Sequence, residues 1–286
     1  MVDERIQSRR SFIFSPGDRP DLYPKALASG ADIVCVELED GVAPQDKADA
    51  RAKMLELFAN PQADDGIERI VRVNALSTDD GEADMAAILG ADSPPPAIML
   101  PKVNSPEEVR GVAEAFDNAG LATRLQAIIE TNKGLEAAYE IAHASPRLDA
   151  LLFGAVDLAA ELRCDNSWEA MLYARSRTVH AAAAAGIDVI DVPWLDLADM
   201  DGLRREAEAS AGLGYTGKGA IHPKQIAVIN DVFSPDPGAI AYARKVIDAF
   251  DAANTGVVVV DGKLIERPVL RTMNRILAQA DRIAAA

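Results

Sequence analysis

Short apolar runs alternate with longer amphipathic stretches along almost the whole chain. The runs Ser11–Phe14, Ile33–Glu37, Ile70–Val73, Ile98–Leu100, Leu125–Ile129, Ala150–Phe153, Asp188–Ile190 and Gly219–Ile221 are brief, apolar and often β-branched. Strands covered on both faces read this way, because neither face needs polar side chains. The stretches between them carry a helical period. Ser105–Ala119 opens on a capping serine, then Pro106 and two glutamates, as a helix N-terminus should. Trp168–Ala185 is alanine-rich and meets Gly186, a residue suited to a C-cap. Pro235–Ala252 is another such helix. Eight strands, each followed by a helix, predict an α/β fold, the (β/α)8 TIM barrel, for which about 250 residues suffice.

The pattern runs to about Asn254, which sets a barrel catalytic domain at 1–254. Residues 255–286 are left for a small C-terminal lid of strand, turn and helix: Gly256–Gly262, then Lys263–Pro268, then a helix. Such a short appendage cannot make its own core and must pack on its own barrel or on a neighbour. Ser93-Pro-Pro-Pro96 reads as a stiff loop leading into the fourth strand.

Composition narrows the partners. The 286 residues hold 45 acidic against 29 basic side chains, a net charge of −16. That balance argues against nucleic acid or an anionic membrane as the main partner, since both demand a basic face. Cys35 and Cys164 lie far apart with no CxxC spacing, so neither a disulfide framework nor a cysteine zinc site is expected. No apolar run reaches the roughly 18 residues that span a bilayer. The stretch Met1–Arg10 is polar and lacks the apolar centre of a signal peptide. A cytoplasmic location is expected.

A barrel carries its chemistry where the strands end. The candidates, in strand order, are Ser15–Pro20; Glu37, Glu39 and Asp40; Arg72 and Asn74; Pro101 and Lys102; Glu130; Gly154 and Asp157; Asp191 and Pro193; and His222 with Pro223. Glu130 and Asp157 come after adjacent strands at one rim. Two carboxylates with room for water and substrate suit Mg²⁺, which prefers oxygen ligands and keeps several waters. Arg72 nearby suits a substrate carboxylate. Together they describe a Lewis-acid site for a carboxylate-bearing carbonyl or alkoxide. Plain structural readings stand beside these. Glu130 can be a surface ion-pair partner, Asp157 an N-cap for Leu158–Leu162, Arg72 a rim arginine, Glu39–Asp40 a turn with Gly41, and His222 a helix cap. Cys35 reads as a buried small hydrophobe. Placement at one rim favours the site.

Motifs run in order along nearly the whole chain. They are Arg10-Ser-Phe-Ile-Phe-Ser-Pro-Gly17, Glu37-Leu-Glu-Asp-Gly-Val-Ala-Pro44 with Lys47 and Arg51, Val71-Arg-Val-Asn74 and Leu100-Pro-Lys102. Next come Ile129-Glu-Thr131, Phe153-Gly-Ala-Val-Asp-Leu158, Gly217-Lys-Gly-Ala-Ile-His-Pro-Lys-Gln-Ile226 and Asp261-Gly-Lys-Leu-Ile-Glu-Arg-Pro268. This series resembles the CitE-like branch of the HpcH/HpaI aldolase superfamily. That branch holds citrate lyase β subunits, malyl-CoA and citramalyl-CoA lyases, and malyl-CoA thioesterases. The resemblance implies a Mg²⁺-dependent barrel with Glu130 and Asp157 as metal ligands and Arg72 as the clamp on the acyl group. It implies Glu39 and Asp40 as acceptors orienting metal-bound water and Arg72. Arg19 and Lys25 are implied as contributors to holding coenzyme A, with Lys47 and Arg51 completing a local positive rim. A homotrimer or homohexamer is implied, with the lid reaching a neighbouring subunit. In the lyases the appendage ends in a Met-Ile-Asp-like motif whose aspartate serves the neighbour's site as acid/base. Here Leu264-Ile-Glu266 puts a glutamate there, one methylene longer.

The activity so implied is retro-Claisen cleavage of a malyl- or citramalyl-CoA-type thioester to an oxoacid plus acetyl- or propionyl-CoA. One alternative is hydrolysis of the same thioester to malate and CoA. Another is a citrate lyase β subunit acting on an acyl-carrier partner.

Overall fold

The computed structural model describes residues 8–60, 62–253 and 256–285. Eight parallel strands close into a barrel: β1 Ser11–Pro16, β2 Ile33–Glu37, β3 Glu68–Arg72, β4 Ala97–Leu100, β5 Arg124–Ile129, β6 Leu148–Phe153, β7 Asp188–Asp191 and β8 Gly217–Ala220. Each strand pairs with the next in sequence. β1 closes the ring on β8, with Phe12 opposite Gly219. The expected barrel is therefore the observed one. Its interior is filled by Phe12, Ile33, Cys35, Ile70, Ala97, Met99, Ile128, Leu152 and Ile190, so it is a packed core and not a channel. Cys35 is part of that packing, as expected. The alternate residues face the surrounding helices in a second, larger core.

Every strand but β2 differs from its expected range by one or two residues at one or both ends, and in β3 and β8 the cause is charge. β3 begins at Glu68 and β8 at Gly217, before Lys218, because both charged side chains are buried and paired. Glu68 meets Arg9 and Arg124 at the N-terminal end of the barrel. Lys218 lies behind the sheet against Asp191 at 2.8 Å and Glu206 at 2.7 Å. Apolar runs do not reveal strand residues of this kind. β1 continues to Pro16, whose missing N–H is tolerated at a strand's end.

The helix Trp168–Ala185 has the expected range and ends on left-handed Gly186 (φ 70°). The helix Pro106–Asn118 starts after Ser105, but the serine side chain makes no cap bond. Instead the Asn104 N–H is held by Glu108 Oε2 at 3.2 Å.

After the helix Pro237–Ala252 comes an antiparallel pair, β9 Val257–Val260 and β10 Lys263–Glu266, then a helix Arg267–Ala285. The tail thus contains a hairpin where a single strand and turn were expected. Asp261 and Gly262 are both left-handed (φ 49° and 76°), which gives the two-residue turn that suits strand twist. Val260, Ile265 and Met273 pack with Ala243 and Val246 of Pro237–Ala252 into a core separate from the barrel's. The expected boundary at residues 254 and 255 lies outside the described residues. No helix among the described residues is long and apolar enough to cross a membrane.

Candidate active site

The C-terminal ends of the strands open into a cavity of about 1000 Å³, lined by Phe14, Lys25, Glu37, Asp40, Arg72, Glu130, Gly154, Asp157, Pro193 and His222 among others. Strand alternation puts Glu37 and Glu39 on the same side of the chain, two residues apart. Glu37 is buried at the end of β2 and accepts the Arg72 Nε–H at 2.5 Å and the Glu39 N–H at 2.5 Å. Arg72, at the end of β3, lies 4.7 Å above the Phe14 ring, and its Nη1 sits 3.3 Å from Glu39 Oε2. Two carboxylates and an aromatic face thus fix the plane of one guanidinium. Burial alone would lower its pKa, but Glu37 and Glu39 outweigh that and raise it. Burial raises the Glu37 and Glu39 carboxyls above their ordinary values, with Arg72 opposing in both cases.

Glu130 directly follows β5 and is 3% exposed. Its Oε1 accepts the Lys102 main-chain N–H at 2.7 Å, and it has no ion-pair partner among the described residues. Burial first, and then the Glu39 charge, push its carboxyl up to about 8; Asp157 adds to the rise. Gly154 makes room for this glutamate. A Cβ there would lie 2.5 Å from both Glu130 Cβ and Oε2. Asp157 sits in the first turn of the helix Ala155–Leu162, whose N-cap is Gly154, so the reading of Asp157 as the cap is not the observed one. It makes no ion pair among the described residues and faces the cavity.

The donor set fits a hard divalent cation. Glu130 and Asp157 face open space without a counter-charge, and Glu39 Oε2 is a buried acceptor with no hydrogen bond. Such a cluster has a natural place for positive charge. Among the described residues no group of three or more His, Cys, Asp or Glu side chains is arranged to hold a metal ion, so an ion would rest on the pair and keep waters.

The structure brings Arg72, Glu39, Asp40, Glu130, Asp157 and Lys25 to this rim. It does not bring Arg19, which pairs with Asp21 at 2.9 Å in solvent and is not among the lining residues. Glu266 is exposed at the end of β10, also outside the lining. Lys47 and Arg51 are not a cationic rim. Lys47 Nζ is spent on the Leu38 and Glu39 carbonyls, at 3.1 and 3.0 Å, and on Asn74. Arg51 is spent on Asp84 at 2.6 Å, and Asp84 in turn holds Asn74. Lys47 braces the loop carrying Glu39 from behind, while Arg51 holds the Asp84 that anchors Asn74. His222 lines the cavity and also caps the turn Pro223–Gln225, accepting the Lys224 N–H at 3.1 Å. Glu37 and Lys102 stand at strand ends, but sequence reasoning assigns neither a role. The period-two spacing of Glu37 and Glu39, and the lysine so soon after β4, are the signals that could have done so.

The sequence pattern of the HpcH/HpaI aldolase/citrate lyase family matches residues 10–223. The chain belongs to this family. It is 35% identical to the L-malyl-CoA/beta-methylmalyl-CoA lyase of Cereibacter sphaeroides, over 96% of both chains. It is 38% identical to the (3S)-malyl-CoA thioesterase of the same species, again over 96% of both. The structure of CitE from Mycobacterium tuberculosis, in complex with magnesium, acetoacetate and coenzyme A, superposes with a TM-score of 0.80 at 31% identity. That match covers 97% of this chain and 99% of the other. The family is thus one of lyases and a thioesterase acting on related substrates.

Proposed function

We propose that this protein cleaves a carbon–carbon bond in a 3-hydroxyacyl-CoA thioester of the malyl-CoA or citramalyl-CoA type, releasing an oxoacid and acetyl- or propionyl-CoA. The observation that carries the reading is the uncompensated pair Glu130 and Asp157 beside the fixed guanidinium of Arg72, in the wall of one cavity. Glu130 and Asp157 would hold Mg²⁺, as the magnesium in the CitE complex encourages. An ion held there would supply Lewis-acid charge to the acyl group.

The remaining steps fall to the chain's own residues. A base takes the proton of the 3-hydroxyl. The bond between the hydroxyl-bearing carbon and the carbon next to the thioester then breaks. Its electron pair passes toward the thioester oxygen, and Arg72, held by Glu37 and Glu39, meets the charge that develops there. A proton delivered to that carbon completes acetyl- or propionyl-CoA. Lys25 at the cavity wall suits a phosphate of the CoA moiety. Arg19 would first have to release Asp21.

Glu266 of a neighbouring copy is the proposed acid/base, in a homotrimer or homohexamer. Support comes from exposed apolar surface in two places. Val257, Val259 and Leu264 are exposed on β9 and β10 beside Glu266, and Val156, Leu195 and Ile221 are exposed where they line the cavity. Joining the two faces would bury both and bring the carboxylate over the site.

Hydrolysis of the same thioester is the second reading. The identity to the thioesterase and the longer carboxylate of Glu266 favour it, since a shift of about 1 Å changes which atom is within reach. A panel of CoA esters with Mg²⁺, analysed for products, separates the two. Glyoxylate with acetyl-CoA marks the lyase; malate with free thiol marks the hydrolase. Turnover that survives removal of all divalent metal would overturn both.

A further inference from the structure

We propose that Lys102 is a positioning residue that sets both halves of the site at once: its main-chain N–H holds Glu130, and its ammonium holds Glu39 against Arg72. The inference rests on the magnesium site of the proposed function. Lys102 adopts a left-handed backbone (φ 52°), which side chains with a Cβ rarely occupy. Among the described residues only Arg163 and Asp261 share this feature outside glycine. Arg163 closes a helix and Asp261 turns a hairpin, so each has a local reason. Lys102 has neither role.

What the strained conformation provides is direction. The N–H of Lys102 points at Glu130 Oε1 at 2.7 Å, and its Nζ reaches Glu39 Oε1 at 2.5 Å and Asp40 at 3.4 Å. The conformation is held from outside. Asn104 Nδ2 donates to the Lys102 carbonyl at 2.7 Å, and Asn104 Oδ1 accepts from Thr131, next to Glu130, at 2.9 Å. Strain kept in place by surrounding bonds is typical of functional sites. With Oε1 of Glu39 taken by Lys102, Oε2 is left facing Arg72 Nη1 at 3.3 Å. Lys102 does not line the cavity, so it acts through Glu39 and Glu130 and not on the substrate. Its positive charge, close to Glu39 and Asp40, also opposes a divalent cation bound at Glu130 and Asp157.

Removing the ammonium has two consequences of opposite sign. Mg²⁺ should bind more tightly, because a nearby like charge is gone. Turnover should fall, because Glu39 and then Arg72 lose their fixed positions. A merely structural lysine would give neither. Mg²⁺ alone is titrated calorimetrically into metal-free wild type, Lys102→Met and Lys102→Gly; glycine accepts the left-handed backbone and guards against a folding failure of the first variant. The Mg²⁺ Kd is expected to tighten about tenfold in both. At saturating Mg²⁺, kcat for the thioester is expected to fall at least ~10-fold, and KM to change less. Unchanged or weaker Mg²⁺ binding overturns the proposal, and so does an unchanged kcat. If the wild type turns over no CoA thioester, the proposed function fails, but the Mg²⁺ titration still decides the role of Lys102.

Discussion

The two ends of the barrel are built from the same residue types and do opposite things. At the N-terminal end Arg9 contacts Glu68 at 2.7 Å, Asp149 at 2.8 Å and Asp188 at 3.2 Å, and Arg124 returns to Glu68 and Asp149 at 2.7 and 2.6 Å. Each of these three carboxylates has an arginine. At the C-terminal end Arg72 and Lys102 serve Glu37, Glu39 and Asp40, while Glu130 and Asp157 have no cation among the described residues. The first cluster pairs each of its carboxylates, and the cavity beside Arg9 and Asp188 is much smaller, about 380 Å³. The second is short of positive charge and opens into a cavity. The difference lies in whether each carboxylate has a cation within ion-pair distance, not in whether it is buried, and it marks where a cationic ligand belongs.

The largest test of the comparison is Glu130→Gln. It keeps the shape and the Lys102 contact but removes the charge, and metal-dependent turnover is expected to fall about 10³-fold or more, measured as product formation with saturating Mg²⁺. Retained turnover would mean that the open end is no more a site than the N-terminal one. Arg9→Met attacks the other end. It leaves buried carboxylates unpaired and is expected to cost about 3–5 kcal/mol in denaturant unfolding, with kcat near wild type at low temperature. A large kcat loss without a stability loss would erase the distinction.

The smallest effect is in pH. Burial raises Glu130 to about 8, so the folded metal-free protein holds a proton that the unfolded chain releases near 4.5. Stability from this group is present below that lower value and is lost as pH climbs toward 8. Glu68 runs the other way: Arg9 and Arg124 overcome burial and hold it below its ordinary value, so its stability is lost only as pH falls through that lowered pKa. The metal-free melting temperature is expected to drop by about 5 °C between roughly pH 5 and 8. Mg²⁺ or Glu130→Gln should flatten the slope. A slope that neither changes would assign it elsewhere.

Most of the barrel was legible because strands buried on both faces are short and apolar, and because the residues just past each strand must meet at a common rim. Arg72, Glu130 and Asp157 could be found that way. Glu68 and Lys218 could not be recognised as strand residues, since their partners come from distant segments. Lys47 and Arg51 looked available for a ligand for the same reason. Nothing in the order of residues shows that Asn74 and Asp84 consume them. The left-handed turn at Lys102 was equally silent, because lysine carries no signal for it.

Gly154 sets a limit on redesign. Any side chain there collides with Glu130 at 2.5 Å, so a mutagenesis library at this position would return almost only glycine. New ligands or bulkier specificity groups for this rim have to be grafted from β7, β8 or the loops, since the wall nearest the carboxylates is already full.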